Sequence, residues 1–90
     1  MEFEIDPTKA ARNVKKHKVS FEEAASVFGD PMAYSFADPD HTIGEGRQLM
    51  FSMSQIGRLL VAIYTPLGQR YRIISARFAT KHERKIYEEG

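Results

Sequence analysis

Ninety residues allow one domain with one core, near the lower end of what folds unaided, and a 42% hydrophobic share excludes a disordered or collagen-like chain. No apolar run approaches the ~20 residues of a membrane span, the start Met1-Glu2-Phe3-Glu4 lacks the regions of a signal peptide, and the absence of Cys excludes a disulfide framework and a thiolate metal site; a soluble, cytoplasmic protein is expected. The net charge of +1 hides an asymmetry, with five Lys/Arg against nine Asp/Glu in residues 1–46 and eight against three in residues 47–90, so the second half suits nucleic acid or an acidic protein partner.

Residues 2–5 alternate weakly and read as a short strand. Asp6-Pro7 then opens a helix, Asp as N-cap and Pro at the first helical position, running to about His17. Its apolar stripe is Ala10, Ala11 and Val14. Its other sides carry Lys9, Arg12, Lys15, Lys16 and His17, which form either a solvated face or a phosphate-contacting one. Ser20 with Glu23 predicts a capping box for a second helix. Phe21, Ala24, Ala25 and Phe28 mark its core stripe, and Gly29 is expected to stop it in a left-handed conformation.

Asp30-Pro31 turns the chain into a strand over 32–36. The polar stretch 37–46 follows. Asp38, Asp40 and His41 there offer carboxylate and imidazole donors, but three donors without a fourth equally describe a turn built from Asp and Pro. No metal or other cofactor is expected.

Strands over 47–54, 59–65 and 69–77 close the sheet, the middle one central because Leu59-Leu60-Val61-Ala62-Ile63-Tyr64 is apolar on both parities. If Tyr64 opposes Arg70, then Leu59, Val61, Ile63, Tyr71, Ile73 and Ser75 share the face that buries against the helices. Leu60, Ala62, Tyr64, Arg70, Arg72 and Ile74 then share the other face, and a one-residue slip would exchange the two sets. Thr80 with Glu83 forms a capping box for a last helix, Lys81 to Glu89. The order β-α-α-β-β-β-β-α predicts one α+β domain over residues 1–90, with two N-terminal helices packed on an antiparallel meander and a short C-terminal helix. From the last strand onward the chain collects Arg70, Arg72, Arg77, Lys81, Arg84 and Lys85.

The stretches F-E-I-D-P-T-K-A, N-V-K-K-H-K-V-S-F-E-E-A-A-S-V-F-G-D-P, D-P-D-H and R-I-I-S-A-R-F-A-T-K-H-E-R-K-I-Y-E-E resemble the BrnT toxins, ribonucleases of BrnT–BrnA type II toxin–antitoxin systems. The resemblance covers essentially the whole chain. It implies a RelE-like fold, cleavage of mRNA that inhibits translation and growth, and neutralisation by a BrnA-like ribbon-helix-helix antitoxin. The expected assembly is a 2:2 heterotetramer that binds operator DNA through the antitoxin. Family members usually read K-H-G-V where this chain has His17-Lys18-Val19. Lys18 must then close the first helix without glycine's freedom, at about 1 kcal/mol if its conformation is left-handed.

Cutting RNA without a metal requires a group that takes the 2′-OH proton, one that protonates the leaving 5′-oxygen, and charge to stabilise the phosphorane. Arg suits the last task because its planar fork matches phosphate oxygens, and His is a usual proton carrier near neutrality. Arg72 and Arg77 are the candidates for phosphate and transition-state contacts, and His41 and His17 for proton transfer. Lys15, Lys16, Arg70, Lys81 and Arg84 are candidates for tracking the backbone, and Tyr64 for stacking a base. Each has a plainer alternative: Arg77 paired with Glu83, Arg72 a cross-strand partner, the histidines solvated or packed. Composition and spacing alone therefore leave two functions open, a ribonuclease or a non-catalytic basic module binding RNA or an acidic protein.

Overall fold

The computed structural model describes residues 1–39 and 46–90. A three-residue strand, Glu2–Glu4 (β1), leads into helix Pro7–His17 (α1). Asp6 opens that helix as anticipated, its carboxylate accepting from the amides of Thr8 at 2.8 Å and Lys9 at 3.4 Å. Lys18 closes it in the left-handed region, φ 62° and ψ 29°, with its amide donating to the Val14 carbonyl. A side chain held there carries about 1 kcal/mol of strain, and the reversal delivers Val19 into full burial.

Helix Phe21–Ser26 (α2) continues into a 3-10 turn, Val27–Gly29. Ser20 caps α2 by accepting from the Glu23 amide at 3.0 Å. The reciprocal half of the expected capping box is absent, because the Glu23 carboxylate is taken by Arg58 and the Ser54 hydroxyl. That pairing holds the carboxyl below its usual pKa, the Arg58 bond outweighing burial. Gly29 also departs from expectation: it is not left-handed. The chain tightens instead, and the Asp30 amide bonds to the Val27 carbonyl at 3.1 Å.

Strands Tyr34–Ala37 (β2), Gln48–Met53 (β3), Leu59–Leu67 (β4) and Arg70–Phe78 (β5) form the antiparallel meander, and Lys81–Glu89 (α3) ends the chain. The strand order is β1-β5-β4-β3-β2, with β4 central as expected and β1 added in parallel outside β5. The β4–β5 register differs from the sequence reading. Pro66 and Leu67 stay in strand, so Tyr64 opposes Ile73 and not Arg70, and a bulge follows at Ile63/Tyr64 that leaves Ile74 as the extra residue. Pro66 is tolerated because β3 pairs with β4 only as far as Tyr64, and a proline belongs on such an unpaired margin.

The core face is consequently Leu60, Ala62 and Tyr64 of β4 with Met50, Ile73 and Ala76, packed on Val19, Phe21, Ala24 and Val27. The expected face of Leu59, Val61 and Ile63 lies opposite. Hydrophobicity could not choose between two apolar parities; hairpin length and the bulge did. Phe28 fills the seam between helices and sheet, its ring centroid 5.0 Å from Phe3 and 4.9 Å from both Tyr64 and Tyr71. Leu60 and Ile73, fully buried here, each contribute roughly 1.5–3 kcal/mol by leaving water.

Phe51, Leu59 and Val61 are buried on the far face, where α3 contacts β3. Thr80 and Glu83 form the full capping box expected for α3. Nine residues are marginal as a free helix, so α3 depends on its docking. The Tyr87 hydroxyl supplies one anchor, donating to Asp30 at 2.6 Å. Among the described residues, no helix is long and apolar enough to cross a membrane.

Candidate functional site

β1 pairs with β5 only along Arg70–Arg72, which leaves the outer edge of β5 beyond that point to α1. Asn13 occupies it. This residue is 6% exposed. Its amide nitrogen donates to the Ala76 and Val19 carbonyls, both at 2.8 Å. Its oxygen accepts from the Ala76 amide at 3.1 Å and the Ser75 hydroxyl at 3.2 Å. One side chain thus satisfies three buried backbone groups that would otherwise be orphaned, and it fixes α1 against the bulged segment of β5.

The rim of that joint is a cleft of about 240 Å³ lined by Lys9, Arg12, Asn13, Lys16, His17, Ile74 and Ser75. On a helix of 3.6 residues per turn, positions 9, 12 and 16 share one flank. Among the described residues the lining holds three cations, one half-buried imidazole and no carboxylate. Among the described residues none of Lys9, Arg12 and Lys16 is engaged in an ion pair. Lys9 also lines a second cleft, with Glu4, Asp6, Arg72 and Ile73. Unpaired cations converging on an open hollow can hold polyanion oxygens, and an imidazole among them can move a proton.

The arginines anticipated from sequence are differently placed. Arg70 and Arg72 lie on the sheet face away from α1 and α2, and Glu4 faces both. It bonds Arg72 Nε at 2.9 Å and a terminal nitrogen at 2.8 Å, and stands 4.0 Å from Arg70. Arg77 closes its fork on Glu83, at 2.7 and 2.8 Å. That bidentate bond drives the Glu83 carboxyl down to about 2 against the resistance of burial, helped by the Thr80 amide. It also raises the Arg77 pKa.

Of the remaining candidates, Lys16 and His17 line the cleft, while Lys15 is exposed outside its lining. Lys81 is exposed in the first turn of α3, and Arg84 stands 3.8 Å from Glu88. Tyr64 is buried in the core with its hydroxyl 2.7 Å from Ser35, so its ring offers no open face to a base. His41 and Asp40 lie outside the described residues. Among the described residues no three His, Asp or Glu are grouped to hold a metal ion.

Lys9 and Arg12 were visible as basic residues of α1, and their spacing with Lys16 was the signal that set them apart. Asn13 carried a fainter one. Its side chain competes with helical hydrogen bonding, so an asparagine in the middle of a helix calls for a partner elsewhere.

The model of a family described as the ribonuclease toxin BrnT of type II toxin–antitoxin systems matches residues 5–83. The chain belongs to the BrnT family. That match spans α1, the cleft and β5 as far as the α3 cap, and it decides between the two functions that composition left open: the chain is a ribonuclease toxin of a type II system, a class that works against an antitoxin partner. The crystal structure of the Brucella abortus ribonuclease toxin BrnT superposes with a TM-score of 0.70, covering 90% of this chain and 99% of that one at 20% sequence identity, which shows the shared BrnT fold. No match was found among curated proteins.

Proposed function

We propose that this BrnT-family chain cuts mRNA by side-chain chemistry in the cleft between α1 and β5. The observation that carries the reading is the lining itself: Lys9, Arg12 and Lys16, without carboxylate partners among the described residues, beside His17. Lys16 and Arg12 hold the scissile phosphate and its neighbour. His17 takes the 2′-OH proton as the 2′-oxygen attacks phosphorus, and the bond to the 5′-oxygen breaks. His41, a proton-transfer candidate on sequence grounds, is left the task of protonating that leaving oxygen. Arg72 joins from the adjoining cleft, since its half-exposed pair with Glu4 is a weak tie. Arg77, its fork closed on Glu83, acts by positioning the β5–α3 corner. Lys15, Arg70, Lys81 and Arg84 add long-range attraction for the strand.

The antitoxin in this reading is a BrnA-like ribbon-helix-helix protein. Such domains are intertwined dimers, which supports a 2:2 assembly that reaches operator DNA through the antitoxin. Light scattering of the co-expressed pair should give the mass of the heterotetramer; a one-to-one complex would remove that part.

The cleavage reading is tested with purified chain, RNA and excess EDTA, comparing the parent with Arg12→Glu and Lys16→Glu. Cleavage by the parent, and its loss in both variants with circular dichroism unchanged, is the expected result. Cleavage abolished by chelation and restored by a divalent ion would overturn the metal-free chemistry. Charge-reversed variants that cut like the parent would move the site elsewhere.

A further inference from the structure

Resting on that reading of the cleft, we infer that a single RNA strand runs along α1 with successive phosphates on Lys16, Arg12 and Lys9, and that the bond cut lies at the His17 end, so RNA is gripped on one side of the cut only. Three observations carry it. The cations recur once per helical turn along one flank, so that Lys9 and Lys16 stand about 10 Å apart along the axis at 1.5 Å per residue. A row of that length suits successive phosphates of one chain. Among the described residues His17 is the imidazole of the lining, and it sits at the end of the row and not at its middle.

Beyond His17 the row stops. The left-handed turn at Lys18 folds the chain back, the Lys18 ammonium is bonded to the Lys15 carbonyl at 3.3 Å, and Val19 enters the core. In the other direction the row continues past Lys9 into the adjoining cleft, where Arg72 stands with Glu4 and Asp6. The grip is therefore built into one flank. Single strands are tracked by basic grooves of this kind, whereas the major groove of duplex RNA is too deep and narrow for side chains to read.

The experiment uses DNA oligonucleotides carrying a single ribonucleotide, so that only one bond can be cut, with uncharged methylphosphonate linkages placed singly on either side. Neutralising the first or second linkage on one side should lower kcat/KM about tenfold each, as loss of a charged hydrogen bond implies. The same changes on the other side should matter less than twofold. In Lys9→Ala/Arg12→Ala the asymmetry should disappear. Binding supplies a readout independent of turnover: anisotropy of a labelled single strand against salt should give a log–log slope about 1.4 shallower for the double variant than for the parent, at ~0.7 per phosphate contacted. Equal sensitivity on both sides of the cut, or an unchanged salt slope in the double variant, would overturn the inference. Undiminished cleavage by His17→Asn would instead defeat the reading of the cleft on which it rests.

Discussion

The side-chain amide of Asn13 pairs with both backbone groups of Ala76, donating to its carbonyl at 2.8 Å and accepting from its N–H at 3.1 Å. This is the pattern a neighbouring strand would offer, supplied here by a helix. It occurs just past the bulge at Ile74, where β5 has lost the cover of β1. The basic flank of α1 is thereby fastened to the strand that forms the other wall of the cleft.

Asn13→Ala should therefore destabilise the fold by about 3 kcal/mol, since it strands several buried backbone groups at once. Asn13→Asp should do comparable harm by setting a carboxylate against the Ala76 and Val19 carbonyls. Urea unfolding followed by circular dichroism measures both. A loss below 1 kcal/mol in each would show that the amide is dispensable.

Lys18→Gly makes the opposite prediction. The left-handed φ of 62° costs a side chain what glycine does not incur, and the bond lost is one exposed contact to the Lys15 carbonyl. The variant should gain about 1 kcal/mol and cut RNA at the parent rate. A loss of stability would show that Lys18 contributes through contacts outweighing its strain.

How much of this was legible beforehand depended on the range of each interaction. The caps at Asp6 and Thr80 are local and were read correctly, as were all eight principal elements and the central place of β4. The face of β4 that meets the helices was not readable, because Leu59 to Tyr64 is apolar on both parities and the deciding bulge has no side-chain signature. Glu23 was read as half of a local box but went to Arg58, 35 residues away, which no three-residue pattern encodes. Tyr64 looked like a stacking residue only because the register that buries it was misplaced. Of the candidate site, Lys16 and His17 stand where a cleft forms. Asn13, which joins them to β5 across 63 residues, left only the oddity of an asparagine in mid-helix.

Glu83 gives a pH dependence whose sign is fixed by its depressed pKa. Its carboxyl falls from an ordinary 4.5 to about 2 in the folded chain, so its ionised form favours folding. That contribution is complete above the unfolded value and is lost as pH falls through 4.5 towards 2. Glu83→Gln should cost about 1 kcal/mol at neutral pH, solvent at Arg77 screening part of the pair. The gap from the parent should close as acid is added. A gap that stays constant from pH 7 to pH 2 would show that charge is not what the pair contributes.

Tyr87 anchors α3 through Asp30, whose carboxylate also accepts from the amides of Met53 at 2.8 Å and Met32 at 2.9 Å. The bond to Asp30 pushes the Tyr87 phenol up to about 12. Burial resists ionisation of Asp30, but the bonds from Tyr87, Met53, Met32 and Ser52 prevail and keep it below its usual value. Tyr87→Phe should cost about 1 kcal/mol and raise hydrogen exchange in α3 ahead of the sheet. In an ultraviolet titration, the parent's curve should carry a late-ionising tyrosine that is missing from the variant's. Equal exchange in α3 and the sheet would show the helix is held by other contacts.

The central claim is that the cleft between α1 and β5 is where RNA is cut, and single-turnover cleavage by His17→Asn at saturating protein tests it most directly. Loss of a general base should slow the chemical step by about 10²–10⁴-fold, with RNA binding and the circular dichroism spectrum unchanged. His17→Asn cleaving RNA at the parent rate would contradict the account and place the chemistry outside this cleft.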